Sequence, residues 1–147
     1  MGRIRILILR AHELFEDLSD EEPSRIAEKS RIVGYMGRTM LFDPEEKLTE
    51  IPLLAQGRVN IQSGSTDEWR KVSEVLTGNS IISCTALTEE KIGVIATVES
   101  HNTEILFIPR DAFLELLEEH SGLYLKLPVV MEKERRNKAN QLKINPE

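Results

Sequence analysis

Few side chains in this sequence have the type and the spacing that chemistry requires. The one cysteine, Cys84, would be a reactive thiol if a helix N-terminus lowered its pKa. A buried thiol is instead a small core residue, and this packing role is the one that we expect for Cys84. His12, His101 and His120 are scattered along the chain without the spacing of a metal site, so the sequence predicts no metal and no cofactor.

The motifs of the common enzyme classes are also missing from the sequence. It contains no Gly-x-Ser-x-Gly elbow, no Gly-x-x-x-x-Gly-Lys phosphate loop and no His-Glu-x-x-His zinc motif. Adjacent acidic residues such as Glu45 and Glu46 are typical of solvated surfaces rather than of an acid–base pair. We therefore expect a protein that is not an enzyme.

Length and charge further limit the classes of protein to which this chain can belong. A chain of 147 residues, 40% of them hydrophobic, predicts one domain over residues 1–147 with its own core. The net charge of −6 argues against a general nucleic-acid-binding surface, and basic residues are concentrated only in Lys133–Lys143. One cysteine cannot form an intrachain disulfide, which is compatible with a reducing compartment. Because Ile4–Leu9 is far shorter than the ~20 residues of a membrane span, we expect a cytoplasmic protein without a signal peptide or a membrane anchor.

The N-terminal part of the chain contains helical signals that would flank any site. Residues 1–12 are ambiguous, because their isoleucines fit either one face of a strand or the start of a short helix. Ser19 and Glu22 have the spacing of a capping box. This spacing predicts a helix from about Asp20 to Lys29.

From Arg31 onward the hydrophobic period changes towards two, which is typical of strands. Glycine and proline separate short apolar segments throughout this region. Many short strands with frequent turn residues predict an all-β sandwich or roll. The predicted strands are Ile32–Tyr35, Met40–Phe42, Leu53–Leu54, Val59–Ile61, Trp69–Leu76 and Gly93–Val98.

The clearest element pair follows these strands. Ile105–Ile108 is a short apolar run, the pattern of a buried strand, and Pro109 ends it because proline has no N–H for a ladder. Asp111 is placed to cap a helix that comes next. The apolar face of that helix consists of Phe113, Leu116 and Leu117.

The C-terminal part combines apolar and polar segments. Leucines alternate over Leu123–Leu127, and Pro128 then interrupts the helix. The residues beyond Met131 lack a continuous apolar stripe. An exposed patch at Leu123–Leu127 predicts a homodimer, although the same leucines could pack wholly inside the monomer.

Three segments resemble a known family by their order and spacing. These segments are Phe15-x-x-Leu18-Ser19-x-x-Glu22, Leu53–Ile61 around Gly57, and Ile105–Leu117. Together they resemble the cyclic-nucleotide-binding domain of Crp/Fnr-type (catabolite-activator-type) regulators. The resemblance implies a mainly β fold, an antiparallel, jelly-roll-like β-roll over about residues 30–110, with helices before it and at about 111–144. It also implies a regulatory, ligand-sensing domain.

The departures from this family lie where ligand would bind. The family's phosphate-binding cassette reads Gly-Glu-Leu-Ala and, some residues later, Arg-Ser-Ala. Here the glutamate position falls on Ser83 or Cys84 and the arginine position on Val94. Removing one partner of a buried charge pair costs roughly 3–5 kcal/mol, or two to four decades of affinity, so we expect lost or altered cyclic-nucleotide binding. The candidate ligand-binding residues are Ile82, Ser83, Cys84, Thr85, Ala86, Val94, Ile95 and Ala96.

Several functions remain open at this point. A small effector, apolar or aromatic, would fit a β-roll pocket re-lined by aliphatic side chains. Alternatively, the pocket is filled and the domain is a protein-interaction or dimerisation module, which the large aliphatic residues favour; non-standard binding of a cyclic nucleotide is a third possibility. Relatives that regulate transcription add a helix-turn-helix, and since the chain ends at Glu147 we expect no sequence-specific nucleic-acid binding by this chain alone. The re-lined pocket would comprise Ile81, Ile82, Cys84, Val94 and Ile95.

Overall fold

Two four-stranded antiparallel sheets form the centre of the molecule, and helices pack against one of them. The computed structural model describes residues 2–16, 18, 21–43, 45–62, 73–78, 80–88, 91–120, 122–123 and 125–128. Within these ranges, none of the helices has the length and apolar character needed to cross a membrane.

The described residues contain eight strands. One sheet has the order β1-β8-β3-β6 and the other the order β2-β7-β4-β5. Apart from the β4–β5 hairpin, strands that are consecutive along the chain lie in different sheets. This arrangement confirms the predicted antiparallel β-roll. The strands are β1 (Arg31–Tyr35), β2 (Thr39–Phe42), β3 (Glu50–Gln56), β4 (Arg58–Gln62), β5 (Ser73–Thr77), β6 (Ser80–Ile81), β7 (Ile95–Val98) and β8 (Thr103–Pro109).

The β8 strand lies at the centre of the first sheet. It pairs with β1 on one side and with β3 on the other, so that Ile105 lies opposite both Val33 and Leu54. All four residues of Ile105–Ile108 are buried, because helices contact this strand and its side chains belong to a hydrophobic cluster that also includes residues of the second sheet. Burial on both faces explains why this strand is a continuous apolar run rather than an alternating one.

The helices flank the roll in sequence and in space. They are α1 (Gly2–Ala11), α2 (Glu21–Lys29) and α3 (Arg110–Glu119), with short 3₁₀ helices at Glu13–Phe15 and Thr85–Leu87 and helical residues at 122–123 and 125–128. The ambiguous first segment is therefore a helix. The α2 bounds agree with the predicted helix, whereas the Ser19 end of the proposed capping box lies outside the described residues.

Two details differ from the sequence-based expectations, and a third lies partly outside the described residues. Asp111 does not cap α3: the helix begins one residue earlier, at Arg110, and its N-cap is Pro109, whose φ of −58° suits the approach to a helix. Of the strand predicted at 69–76, the described part from Ser73 onward belongs to β5, and residues 63–72 lie outside the described residues. The two-residue strand β6 was not predicted at all.

The predicted apolar face of α3 is confirmed. Phe113, Leu116 and Leu117 are buried in the core, together with residues from both sheets. Leu123 and Leu127 also belong to the core of the monomer, while Leu125 between them is 79% exposed. The exposed patch expected over Leu123–Leu127 is thus reduced to Leu125 among the described residues.

Candidate functional site

The cassette segment, residues 81–87, connects β6 to the second short 3₁₀ helix. At its start the Ile82 N–H donates to the Pro52 carbonyl at 2.9 Å, which extends the pairing of β6 with β3 by one residue. The segment then leaves the sheet and turns through Thr85–Leu87, which we call the cassette turn. The cassette is therefore anchored on the central strands of the first sheet.

The polar groups of the cassette bond to one another. The Thr85 N–H donates to Ser83 Oγ at 3.2 Å, and the Ser83 hydroxyl lies at hydrogen-bonding distance, 3.2 Å, from Thr85 Oγ1. The turn closes when the Leu87 N–H donates to the Cys84 carbonyl at 3.0 Å. Ser83 is fully buried and Thr85 is nearly so. These contacts satisfy the first amide of the turn within the protein.

The apolar members of the cassette are part of the core. Ile82, Cys84 and Ala86 are all buried, and Ile82 and Ala86 belong to the hydrophobic cluster that fills the molecule. The thiol of Cys84 is 2% exposed and forms no disulfide. Its burial agrees with the packing role that we expected for it.

The second candidate segment, Val94–Ala96, enters and begins β7. Val94 is 1% exposed and Ala96 is fully buried; both belong to the same hydrophobic cluster as Ile82 and Ala86. Ile95 is half-buried, and since neighbouring side chains on a strand point to opposite faces, it faces away from Ala96. The structure thus brings Val94 and Ala96 together with the cassette in one core and places Ile95 outside it.

Lys91 is the cation closest in sequence to this second segment. Its side chain is more than half exposed, and its ammonium contacts the Glu45 carboxylate on the surface. Hydrogen bonding to Glu45 raises the pKa of Lys91. Lys91 is therefore engaged outside the hydrophobic cluster rather than within it.

The three histidines lie apart from the cassette and from one another. His12 is buried, and its Nδ1 accepts a hydrogen bond from the Leu14 N–H at 3.0 Å. His120 follows α3 and contacts Glu22, while His101 is exposed beside Gly37. No group of three or more His, Cys, Asp or Glu side chains in the described ranges is arranged to hold a metal.

Sequence reasoning missed the hydrogen bonds inside the cassette. The sequence suggests Ser83 as a candidate ligand-binding residue at a glutamate position, whereas in the structure its hydroxyl bonds within the turn at Thr85. The Ser-x-Thr spacing ahead of a short apolar turn is the signal that was available, since serine side chains accept from the amide two residues on. The chemistry of this site is therefore packing and internal hydrogen bonding, without a charged group among its described residues.

Comparison with solved structures identifies the fold. The sensor domain of the regulator DNR from Pseudomonas aeruginosa superposes with a TM-score of 0.75 at 18% identity, over 96% of this chain and 95% of that one. A cyclic nucleotide-binding domain from Methylobacillus flagellatus gives 0.70 at 17% identity, over 95% and 80% of the two chains. The Thermus thermophilus catabolite activator protein gives 0.71 at 19% identity, over 89% of this chain and 62% of that one.

These similarities establish the β-roll of cyclic nucleotide-binding domains, as the motifs around Gly57 and Phe113 predicted. The chain spans nearly all of the DNR sensor domain but less than two thirds of the Thermus protein. No family model matches the sequence, and no curated protein matches it either.

Proposed function

We propose that this chain, which has the fold of the cyclic nucleotide-binding domains, is a cytoplasmic regulatory domain without enzymatic activity that does not bind cyclic nucleotides in the ordinary way. In this proposal, the interior of the roll is filled by the protein's own side chains. The domain then acts through contacts with a protein partner rather than through a nucleotide.

The observation that carries the proposal is the environment of Val94. In the family that the sequence resembles, an arginine at this position pairs with the cyclic phosphate. Here the position holds a valine that is 1% exposed and packed in the hydrophobic cluster. A phosphate brought to this place would lose its hydration without meeting a positive charge, which is strongly unfavourable.

The hydrogen bonds of the cassette support the same conclusion. In the family that the sequence resembles, backbone amides of the corresponding turn bind the phosphate, as helix N-termini commonly do. Here the Thr85 amide already donates to Ser83 Oγ, and Ser83 is fully buried. A phosphate would have to displace this internal acceptor before it reached the amide.

Calorimetric titration with cyclic AMP and cyclic GMP tests the proposal. Loss of a charge partner costs roughly 3–5 kcal/mol, which moves a micromolar site to about millimolar or weaker, so we expect no saturable heat at sub-millimolar nucleotide. A dissociation constant below about 10 µM for either nucleotide would overturn the proposal. Repeating such a titration with Ser83→Ala would then show whether the nucleotide occupies the cassette.

A filled roll and an open apolar pocket also differ in how they bind apolar dyes. An environment-sensitive anilinonaphthalene dye should bind the native protein no better than it binds a well-packed globular domain, because Ile82 and Val94 are buried. Stoichiometric binding to the native state, abolished by Val94→Phe and retained in Leu125→Ala, would favour a small-molecule effector in the roll.

For the partner, we propose a homodimer in which Leu125 is the contact residue. Leu125 is 79% exposed, whereas Leu123 and Leu127 hold its helical segment against the core. Leu125 is the side chain that remains exposed in the apolar segment Leu123–Leu127, from which the sequence predicted a homodimer. Sedimentation equilibrium should show a dimer at high micromolar concentration that Leu125→Ser weakens and that Leu7→Ser, at another exposed leucine, leaves intact. A wild-type monomer under these conditions excludes the homodimer.

A further inference from the structure

A surface groove of about 180 Å³ lies between α2 and α3. Its floor is apolar and consists of Ile26, Ala112 and Leu116, while charged side chains of both helices form its rim. Pockets for small molecules usually measure about 300–1,000 Å³, whereas a cavity of about 150 Å³ is enough to hold a benzene-sized group. The groove is therefore too small for a nucleotide and has room for one large apolar side chain.

The floor of the groove is narrow, because its residues already pack the two helices together. Ile26 and Leu116 are each 3% exposed, and Ala112 is 6% exposed. A partner that binds here meets a strip of apolar surface rather than a broad hydrophobic face. Such a surface accepts a single anchoring side chain, so the remaining contacts have to come from the rim.

The two helices carry most of the net negative charge of the molecule. Together they contain seven acidic and three basic residues, which is a formal charge of −4, whereas the whole chain carries −6. A concentration of one sign of charge steers groups of the opposite sign to the surface that carries it. The acidic residues are Glu21, Glu22, Glu28, Asp111, Glu115, Glu118 and Glu119.

The two cations on the rim already have acidic partners across the groove. The Arg25 guanidinium donates two hydrogen bonds to the Glu119 carboxylate, at 2.6 and 3.2 Å. Lys29 Nζ lies 3.7 Å from a carboxylate oxygen of Glu115. The positive charges of the rim are thus balanced within the domain, and the excess that faces a partner is negative.

Other carboxylates of the two helices have no such cation beside them. Glu28 on the rim, and Asp111 and Glu118 on α3, are exposed and form no ion pair within the part of the chain that the structure describes. The arginine-containing helix α1 contacts α2 but contributes no residue to the lining of the groove. Lysine or arginine side chains of another molecule would therefore complete ion pairs that this domain leaves open.

We propose that this groove and its acidic rim, which we call the α2–α3 face, bind a basic segment of a partner protein. The segment inserts one large apolar side chain over Ile26 and Leu116 and places lysine or arginine side chains against the open carboxylates. Because exposed ion pairs contribute little each and are screened by salt, the contact is transient and salt-sensitive. The inference rests on the proposed function, in which the domain acts through protein contacts, but not on the dimer contact at Leu125.

Selection from a phage-displayed library of random dodecapeptides, with the intact chain as bait, tests the chemistry of the partner. We expect enrichment of sequences in which basic residues flank one leucine, methionine or aromatic residue. Enrichment of acidic or uncharged sequences, or none above a blank surface, overturns the proposal. Enrichment of sequences that match Lys133–Lys143 would assign the face to the chain's own basic segment instead of a partner, which also overturns it.

Titration of an enriched peptide into charge variants then locates its site. Glu28→Gln combined with Glu118→Gln should weaken binding by about fivefold, since two exposed ion pairs are lost. The matched control is Glu46→Gln combined with Glu99→Gln, which removes the same charge and should change the dissociation constant by less than about twofold. All four side chains are exposed, and Glu99 lies before β8, at the opposite end of that strand from α3. Equal weakening by both pairs would mean unspecific attraction and would refute the site.

The anchor is tested on the peptide and on the wild-type chain, so that no variant has to fold. Replacing the apolar residue of the peptide by alanine should weaken binding by about tenfold or more. In a nitrogen-15-labelled chain, the amides that shift on titration should lie in α2 and α3, with Ile26 and Leu116 among them. Shifts confined to the segment around Leu125, or a peptide that tolerates the alanine, contradict the proposal.

The test separates this inference from the proposed function. A chain that binds cyclic AMP below about 10 µM and still binds the basic peptide at the α2–α3 face would refute the proposed function alone. A chain that binds no cyclic nucleotide and no basic peptide would refute this inference alone. Leu125→Ser should leave the affinity for the peptide unchanged, and its loss in that variant would place the peptide at the dimer contact and overturn the α2–α3 face.

Discussion

The rings of Phe15 and Phe113 meet edge to face, with centroids 6.1 Å apart and planes inclined at 86°. Both side chains are completely or almost completely buried. Phe15 ends the first short 3₁₀ helix and Phe113 lies in α3, so the contact joins segments from before and after the β-roll. Such aromatic pairs stabilise by about 0.5–1.5 kcal/mol beyond the burial of their area.

Replacing Phe113 by alanine should remove this contact and leave a cavity under α3. We expect the free energy of unfolding to fall by about 3–5 kcal/mol, measured from the urea midpoint at constant m-value. Leu7→Ala is the control, because that side chain is 63% exposed and its loss should change stability by less than about 0.5 kcal/mol. Equal midpoints for the two variants would show that Phe113 is not a core residue.

Gly57→Ala should destabilise the turn between β3 and β4. Gly57 has a φ of 99°, and a Cβ there would lie 2.5 Å from the Cα of Thr103, the first residue of β8. Left-handed strain costs about 1–2 kcal/mol and the overlap about 1–3 kcal/mol more, so the total should exceed 2 kcal/mol. The matched variant is Gly34→Ala, since no atom lies within 4 Å of a Cβ built there. Similar thermal midpoints for both would refute this assignment of the turn.

The Cys84 thiol should react with an aromatic disulfide reagent only when the protein opens. It is 2% exposed in the native state, and reaction requires an accessible thiolate. We expect modification at pH 8 to be at least about a hundredfold slower in buffer than in denaturing urea. Rapid native-state modification would mean that the cassette is open to solvent, and it would also weaken the proposal of a filled roll.

Acid titration should expose the contribution of the Arg25–Glu119 pair. The hydrogen bond from Arg25 lowers the pKa of Glu119 in the folded protein, so the stability from this carboxylate is present above its ordinary pKa and disappears as the pH falls through the lowered value. The stability difference between wild type and Glu119→Gln should therefore shrink below about pH 4. The difference for Glu118→Gln, measured in parallel, controls for general charge effects. A Glu119 difference that grew on acidification would contradict the assigned direction.

The parts of the fold that sequence reasoning predicted share a local physical cause. Ile105–Ile108 is apolar because β8 is covered on both faces, and Gly57 is glycine because its backbone adopts a positive φ. Phe113, Leu116 and Leu117 have the spacing that places them on one face of a helix. In each case, the type of one residue or the spacing of a few residues is enough to indicate the local structure.

The parts that were missed depend on partners that are distant in the chain. The strand β6 exists because Ile81 and Ser80 pair with Leu53 and Leu54, and its two residues have no strand pattern of their own. The ion pairs between α2 and α3, such as Arg25–Glu119, were also not predicted, since charged residues on a helix predict a solvated face. At the site, the sequence itself shows that position 94 holds an uncharged valine. The Ser83–Thr85 hydrogen bonds could be recognised only from the geometry of the turn.

The alternation of consecutive strands between the two sheets has a consequence for how the chain acquires its structure. β1 cannot pair until β8 is present, because Arg31 pairs with Phe107, and β2 likewise cannot pair until β7 is present. Among the described strands, only β4 and β5 form a hairpin from neighbouring segments. Most strand pairings therefore form only after a long loop has closed, which costs entropy. We expect folding to take milliseconds to seconds rather than microseconds. On the ribosome, the first strands emerge with apolar side chains and no partner until almost the whole roll has been synthesised.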